Sequence, residues 1–482
     1  MNSTAERASL LMACGGDGRI LLEPSTGLNR YHSAPRPRDI LAYASSTAND
    51  ISEEAFAHVE ELAEEMGGSL SGPAYGDRLE QLRRQIRSAY AIAGDVEIVF
   101  APSGTDLEYV ALGCAAGRAA NGIQNILIGA DEVGSGCIHS AHGRYFARKT
   151  ALGLPVTPEA PVPGFGNGSV ETIDFPVRDQ SGHALPSGMI VAKIDEAIAA
   201  AALDQRHALI HVVHGSKTGL ILPALADLDG LLSRHGENIS FVVDACQARI
   251  TPAAINAYLD RNGIVFVTGS KFMGAPPFSG FALVPQGVAA LARPLAEGFA
   301  TIFRRSEWPR GWPGADQLPD DANIGLLLRL EAAIFELERF QALGPEEVGR
   351  VVLAFHQAVR SAIVERLGIR RVAPYPPGDR IEADRHPIEM RTLSTLDLST
   401  LNGGASLDDA LHWHRRLVER GIRLGQPVKC VRTANGAWGA TLRIGLSMPM
   451  IVERARLADD SLGRSFEADM EVVADAILAC AA

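Results

Sequence analysis

The chain has 482 residues, 46% hydrophobic and 21% charged, with a formal net charge of −12. This is the composition of a folded globular protein long enough for two or three domains. Its acidic balance and lack of a long basic run exclude an ordinary nucleic-acid partner. No window of about 20 residues is free of charged and strongly polar groups, so no membrane span is expected. The start lacks a basic stretch followed by an apolar one, so no secretory leader is expected. Six scattered cysteines form no CxxC pair and no zinc spacing. Reduced thiols and a cytoplasmic protein without a metal are the expectation.

Residues 1–50 read as an N-terminal arm, irregular up to about residue 40. "ISEEAFAHVEELAEEM" has helical spacing, with Ala55, Val59, Leu62 and Met66 on one face. "DRLEQLRRQIRSAYAI" is a second helix. "VEIVFAPSGTDLEYVALGCAAG" reads strand, turn, helix, and "NILIGA" is a short buried strand. A Pro/Gly-rich loop follows near 153–168. "ALIHVVH", "ISFVVDA" and "GIVFVTGS" are three more buried strands. "RRSEWPRGWPGADQLPDD" is loop, with Trp308 and Trp312 as packing groups. "NIGLLLRLEAAIFELERFQAL" is a long helix that links two domains. Continuous apolar strands alternating with helices predict an α/β domain over 51–330, its mainly parallel sheet covered on both faces. Residues 331–482 carry mixed signals and read as a smaller α+β domain.

Four polar groups fall at predicted strand ends, where open α/β sheets bind ligands. Ser103, Gly104 and Thr105 lie between a strand and a helix, an arrangement that offers backbone N–H groups and two hydroxyls to an anion. An N-cap would look the same. Asp244 and Gln247 stand at the exit of "FVVDACQARI", where an unpaired acid is costly; a cap or an ion pair would also explain them. Lys271 follows a buried strand among Thr268, Ser270 and glycines, and such a lysine can serve as an amine nucleophile. Arg443 sits inside the apolar strand "ATLRIGLS" and needs an acidic partner from the protein or a substrate. His211 and His214 are three apart, on opposite faces of a strand, so they are not expected to share a metal.

Together and in this order, these words resemble the class V aminotransferase and cysteine desulfurase family of fold type I pyridoxal-phosphate enzymes. The resemblance runs from about residue 45 to 450. It is carried by "LSGPAYGDRLEQLRRQI", "VEIVFAPSGTDLEYVAL", "VVDACQ", "TGSKFMGAPPFSG" and "LRIGLS". It implies a seven-stranded, mainly parallel large-domain sheet, a small C-terminal domain, a homodimer, and pyridoxal 5'-phosphate as cofactor. Lys271 would form the Schiff base and move the proton at the substrate Cα. Asp244 would pair with the pyridine nitrogen and Gln247 with the ring hydroxyl. Ser103, Gly104, Thr105, Thr268 and Ser270 would hold the phosphate, and Arg443 the α-carboxylate of an amino-acid substrate.

The departures are specific. Ser270 stands where the family has histidine. "HVVHGSKTG" puts Ser216 or His214 where the family has an asparagine near the cofactor hydroxyl. The ring-stacking histidine aligns near Val133, with His139 or His142 as substitutes. The place of the desulfurase cysteine falls at Leu424 or Gly425, with Cys430 nearby. An aminotransferase-type reaction is therefore expected, with a β- or γ-lyase or replacement reaction as the alternative, and a non-catalytic protein on the same fold as a more distant one.

Overall fold

The computed structural model describes residues 4–482 except 68, 131, 135, 167, 380–385 and 434. Runs rich in Val, Ile and Phe form the strands of a large sheet: β2 (Val96–Ala101), β3 (Ile123–Ile128), β4 (Val170–Phe175), β5 (His207–His214), β7 (Ile239–Asp244), β8 (Ile264–Thr268) and β9 (Gly280–Pro285). β1 (Leu41–Tyr43) lies outside it, and the two-residue β6 (Ile221–Leu222) pairs with the end of β5. The strand order is β2-β9-β8-β7-β5-β3-β4. Neighbours are parallel except where β9 pairs with β2 and β8. β5, β8 and β9 are buried throughout, and β7 except at its last residue, Asp244. Burial on both faces is why these strands read as unbroken apolar runs.

β4 escapes that pattern. As an edge strand, "VETIDF" is mostly half-exposed or exposed, and its polar residues hide it in the sequence.

Helices cover the sheet. Ser52 and Ser71 cap Glu53–Glu65 and Gly72–Ala89 by accepting from Ala55 N and Ala74 N. The helix Ile324–Gln341 is buried on nearly every face, runs through residue 330 and carries the fully buried Arg329. Its guanidinium donates to the carbonyls of Phe278, Met12, Cys14 and Gly15. That clamp explains a departure from the expected irregular arm. Residues Thr4–Met12 form a helix whose Ala8 and Met12 are buried, and it contacts Ile324–Gln341. A nine-residue helix has little intrinsic stability, so tertiary docking maintains it.

The C-terminal part holds the antiparallel sheet β10 (Arg370–Arg371), β11 (Leu393–Asp397) and β13 (Thr441–Gly445), ordered β10-β11-β13. β12 (Ile422–Leu424) pairs with β1 from the start of the chain, in parallel. The helices Pro345–Ala358, Leu407–Glu419 and Asp459–Ala481 pack together beside these strands. Trp308 and Trp312 are buried, 5.1 Å apart, in a cluster with Phe299 and Phe303. All six cysteines are unpaired. Among the described residues no helix is long and apolar enough to cross a membrane, and no cluster of metal-ligating side chains occurs.

Candidate active site

The carboxyl ends of β2, β5, β7 and β8 open onto a cavity of about 510 Å³, also walled by Arg443 on β13 and by Gln426–Lys429. Ser103, Gly104, Thr105, Ser216, Asp244, Gln247, Thr268, Ser270, Lys271 and Arg443 all line it; His214 does not.

The turn after β2 is built by its own hydroxyl. Ser103 Oγ donates to Asp106 Oδ2 at 2.5 Å and accepts from Asp106 N at 3.2 Å, just before the helix Leu107–Ala115. Burial pushes the Asp106 carboxyl up to about 7. A Cβ on Gly104 would lie 3.0 Å from Thr268 Cγ2 and 3.2 Å from Cys246 Sγ, so β2, β7 and β8 meet here with little room for a side chain.

Asp244 ends β7 and receives Cys246 N on Oδ1 at 2.9 Å. Close to it are two enclosed groups, Glu108 and His211, 3.4 Å apart. Burial, reinforced by the charge of Asp244, raises Glu108 well above the carboxylate range. Burial pulls His211 down to about 4. Burial thus favours the neutral form of both groups beside Asp244.

Gln247 is oriented from behind. Its Oε1 accepts from Arg249 Nη1 at 2.8 Å, and its Nε2 donates to Ser46 O at 3.2 Å. Arg249 is anchored in turn by Ser45 Oγ at 2.7 Å and Leu446 O at 3.2 Å. Between them Ala248 takes a positive φ of 57°, a strained turn that sends both side chains inward.

Lys271 follows β8. Asn49 Nδ2 donates to the carbonyls of Ser270 and Lys271, so the start of the chain fixes the lysine's backbone. Thr268 Oγ1 donates to Cys246 O at 2.7 Å, tying β8 to the exit of β7. At Gly269 an added Cβ would stand 2.4 Å from Ala333 Cβ, so only glycine lets the lysine turn pack on the long helix.

Arg443 is 3% exposed and donates to Gln426 O, Ser46 O, Lys217 O and Thr47 Oγ1 at 2.8–3.2 Å. Every one of these acceptors is neutral. Among the described residues its hydrogen bonds go to no carboxylate, Glu132 attracts it only at longer range, and burial draws its pKa down to about 10.

At the asparagine-like position, Ser216 Oγ donates to Glu132 Oε2 at 2.8 Å and accepts from Thr218 N and Leu220 N. Glu132 is held by Arg178 Nε at 2.5 Å. His214 projects the other way. Its ring lies 3.0 Å from Tyr258 Oη and 3.3 Å from Glu389 Oε1, in the core. β5 ends at His214, and the chain turns at Gly215, where φ is 81°, before Ser216 and Lys217 reach the cavity. Val133 lines the cavity and His139 and His142 do not, so an aliphatic wall stands where a ring was expected. Cys430 is buried outside the cavity, its thiol pushed up to about 12 by burial.

Several cavity residues were absent from the sequence-based set: Arg19, Tyr31, Ser46, Thr47, Glu132, Lys217 and Phe278. Burial, with help from Arg443 and Lys271, lowers Lys217 to about 8. Arg249 behind Gln247 had a visible signal, since an arginine two places after Gln247 in an otherwise apolar exit needs buried acceptors.

No protein-family model matches the chain, and no curated protein matches it in sequence. Solved structures do match in shape. A ureidoglycine–glyoxylate aminotransferase from Bacillus subtilis aligns over 92% of this chain and 98% of its own, with a TM-score of 0.55 and 12% identity. A cysteine desulfurase from Escherichia coli aligns over 92% and 94%, with a TM-score of 0.55 and 15% identity. A pyridoxamine–pyruvate aminotransferase from Mesorhizobium loti aligns over 92% and 98%, with a TM-score of 0.50 and 14% identity. The chain thus has the fold shared by these aminotransferases and desulfurases.

Proposed function

We propose that the chain is a pyridoxal 5'-phosphate enzyme that acts on an L-amino acid, with amino-group transfer as its reaction. One observation carries this: an acid, a lysine, a hydroxyl-bearing anion turn and an arginine hydrogen-bonded only to neutral acceptors converge on a single cavity. The donor set fits the cofactor. Ser103, Gly104, Thr105, Thr268 and Ser270 would hold its phosphate, Asp244 its ring nitrogen, and Gln247 and Ser216 its hydroxyl side. When bound, the cofactor supplies an electrophilic carbon for an amine and a ring that takes up electrons from the substrate Cα.

The chain's own groups do the rest. Arg443 attracts the substrate α-carboxylate with a guanidinium already fixed by four neutral acceptors, one Nη2 N–H remaining to donate, so little side-chain entropy is lost on binding. Lys271 provides the amine that moves a proton at Cα. Asp244, fixed on Oδ1 by Cys246 N, keeps a negative charge at the ring's edge. Amino-group transfer is preferred to sulfur abstraction because burial raises the cavity thiols Cys137 and Cys246, and Cys430 lies outside the cavity. A nucleophilic sulfur would need a lowered pKa. A homodimer is part of the same proposal, and light scattering checks it.

The test is direct. The purified protein should be yellow, and borohydride should fix the cofactor on the peptide containing Lys271. Lys271→Ala should be colourless after the same treatment. A wild type that takes up no pyridoxal 5'-phosphate sinks the proposal. An amino-acid screen then separates the reactions: an oxo acid marks transfer, and an expelled side-chain fragment marks a lyase.

A further inference from the structure

The N-terminal segment delivers a guanidinium to the anion turn. Arg19 lies in the short helical turn Gly18–Ile20, which Asp17 caps. Its Nη1 stands 3.3 Å from Thr105 Oγ1 and its Nη2 3.5 Å from Ser103 Oγ. Asp17 grips the other edge, with Nε–Oδ1 at 2.9 Å and Nη2–Oδ2 at 2.7 Å. The guanidinium carbon is 5.0 Å from the ring centre of Phe146 and 5.1 Å from that of Phe278. The side chain is 18% exposed and lines the cavity.

This cation is held on several sides. Two aromatic rings and a carboxylate fix its plane, so it needs no reorganisation to meet an anion. Asp17 occupies the Nε edge, and Nη1 is left to face the turn. The hydroxyls it approaches belong to the turn that also offers backbone N–H groups. Two hydroxyls, a guanidinium and a helix start form a donor set for a tetrahedral dianion rather than for a planar carboxylate.

We propose that Arg19 binds the phosphate of the cofactor, so that the N-terminal segment completes the cofactor site from within the same chain. This role rests on the cofactor proposal above. It also gives the clamp made by Arg329 a purpose, because Met12, Cys14 and Gly15 are held only a few residues before Arg19.

The experiment compares two ligands that differ only in the phosphate. Apoprotein, with and without Arg19→Gln, is titrated with pyridoxal 5'-phosphate and with pyridoxal, following absorbance. Arg19→Gln should weaken the phosphate ester about tenfold to a hundredfold, the range for loss of a charged hydrogen bond, and leave pyridoxal unchanged. Retained pyridoxal binding also shows that the variant folds. Equal weakening of both ligands, or of neither, overturns the role. So does unchanged affinity for the phosphate ester with weakened amino-acid binding, which would place Arg19 on the substrate. If Arg19→Gln loses both ligands by unfolding, Arg19→Lys decides: selective loss for the phosphate ester supports the role, and a common loss overturns it. A wild type that binds neither ligand overturns the cofactor proposal itself, whereas a normal wild type with an unaffected variant overturns Arg19 alone.

Discussion

Two arginines line the cavity, and their charges are compensated in opposite ways. Arg19 is paired with a carboxylate two residues before it and is clasped by rings. Arg443 is more deeply buried and meets only carbonyls and one hydroxyl. A buried charge without a counter-ion is costly unless a partner arrives. The difference separates a permanent fixture from an exchangeable contact. Arg19 is compensated whether or not anything is bound, and a phosphate adds to an existing balance. On the proposed reading Arg443 would gain a directly bonded counter-charge only from a bound carboxylate, which would make it the better discriminator between amino acids and amines.

The largest expected effect breaks the comparison at its exposed point. Arg443→Ala should weaken amino-acid binding by about a hundredfold or more, as for truncation of one partner of a buried charge pair, while cofactor content stays normal. Spectral titration reads both, and equal substrate affinity in the variant would remove the distinction. Arg443→Lys keeps the charge but not the fork, and should fall between the two.

A smaller effect is expected at the paired arginine. Asp17→Asn removes the counter-ion and should lower the stability of the apoprotein by about 1–3 kcal/mol. Added inorganic phosphate should restore part of that loss in the variant and have less effect on the wild type. Thermal melts with and without phosphate check this, and identical responses would mean that Asp17 does not compensate Arg19.

A third effect, seen only as a dependence on pH, concerns Glu108, beside Asp244. Its folded pKa is raised above its unfolded one, so its contribution is fully present below the unfolded pKa and is lost as pH rises toward the folded value. Glu108→Gln cannot ionise and escapes that loss. The melting temperature of Glu108→Gln relative to wild type should therefore climb as pH rises above the ordinary carboxylate range. A flat difference would show that Glu108 is ionised in the fold.

Much of this site was legible because its residues interrupt strong local patterns. Asp244 and Lys271 end β7 and β8, and Arg443 sits in an apolar strand, so each stands out against buried neighbours. His214 was misplaced among the candidates because the strand's end does not disclose which way its last residue faces. Arg19 was invisible for another reason. Its partners Ser103, Thr105, Phe146 and Phe278 are far away in the chain, and nothing local marks the segment. The same holds for the helix Thr4–Met12, which depends on docking, and for β4, whose exposed side carries polar residues. Local periodicity reports burial on one element; it says little about contacts that join distant ones.

The clamp at Arg329 sets an order of events during synthesis. Thr4–Met12 and Arg19 emerge from the ribosome early, but Phe278 and Arg329, which hold them, emerge much later. Since chains begin to fold as they are made, this segment lacks these anchors until Phe278 and Arg329 have been made. A segment made before its anchors thus reaches its place only after they exist, and the anion turn gains a clamped guanidinium only once Arg329 has been made.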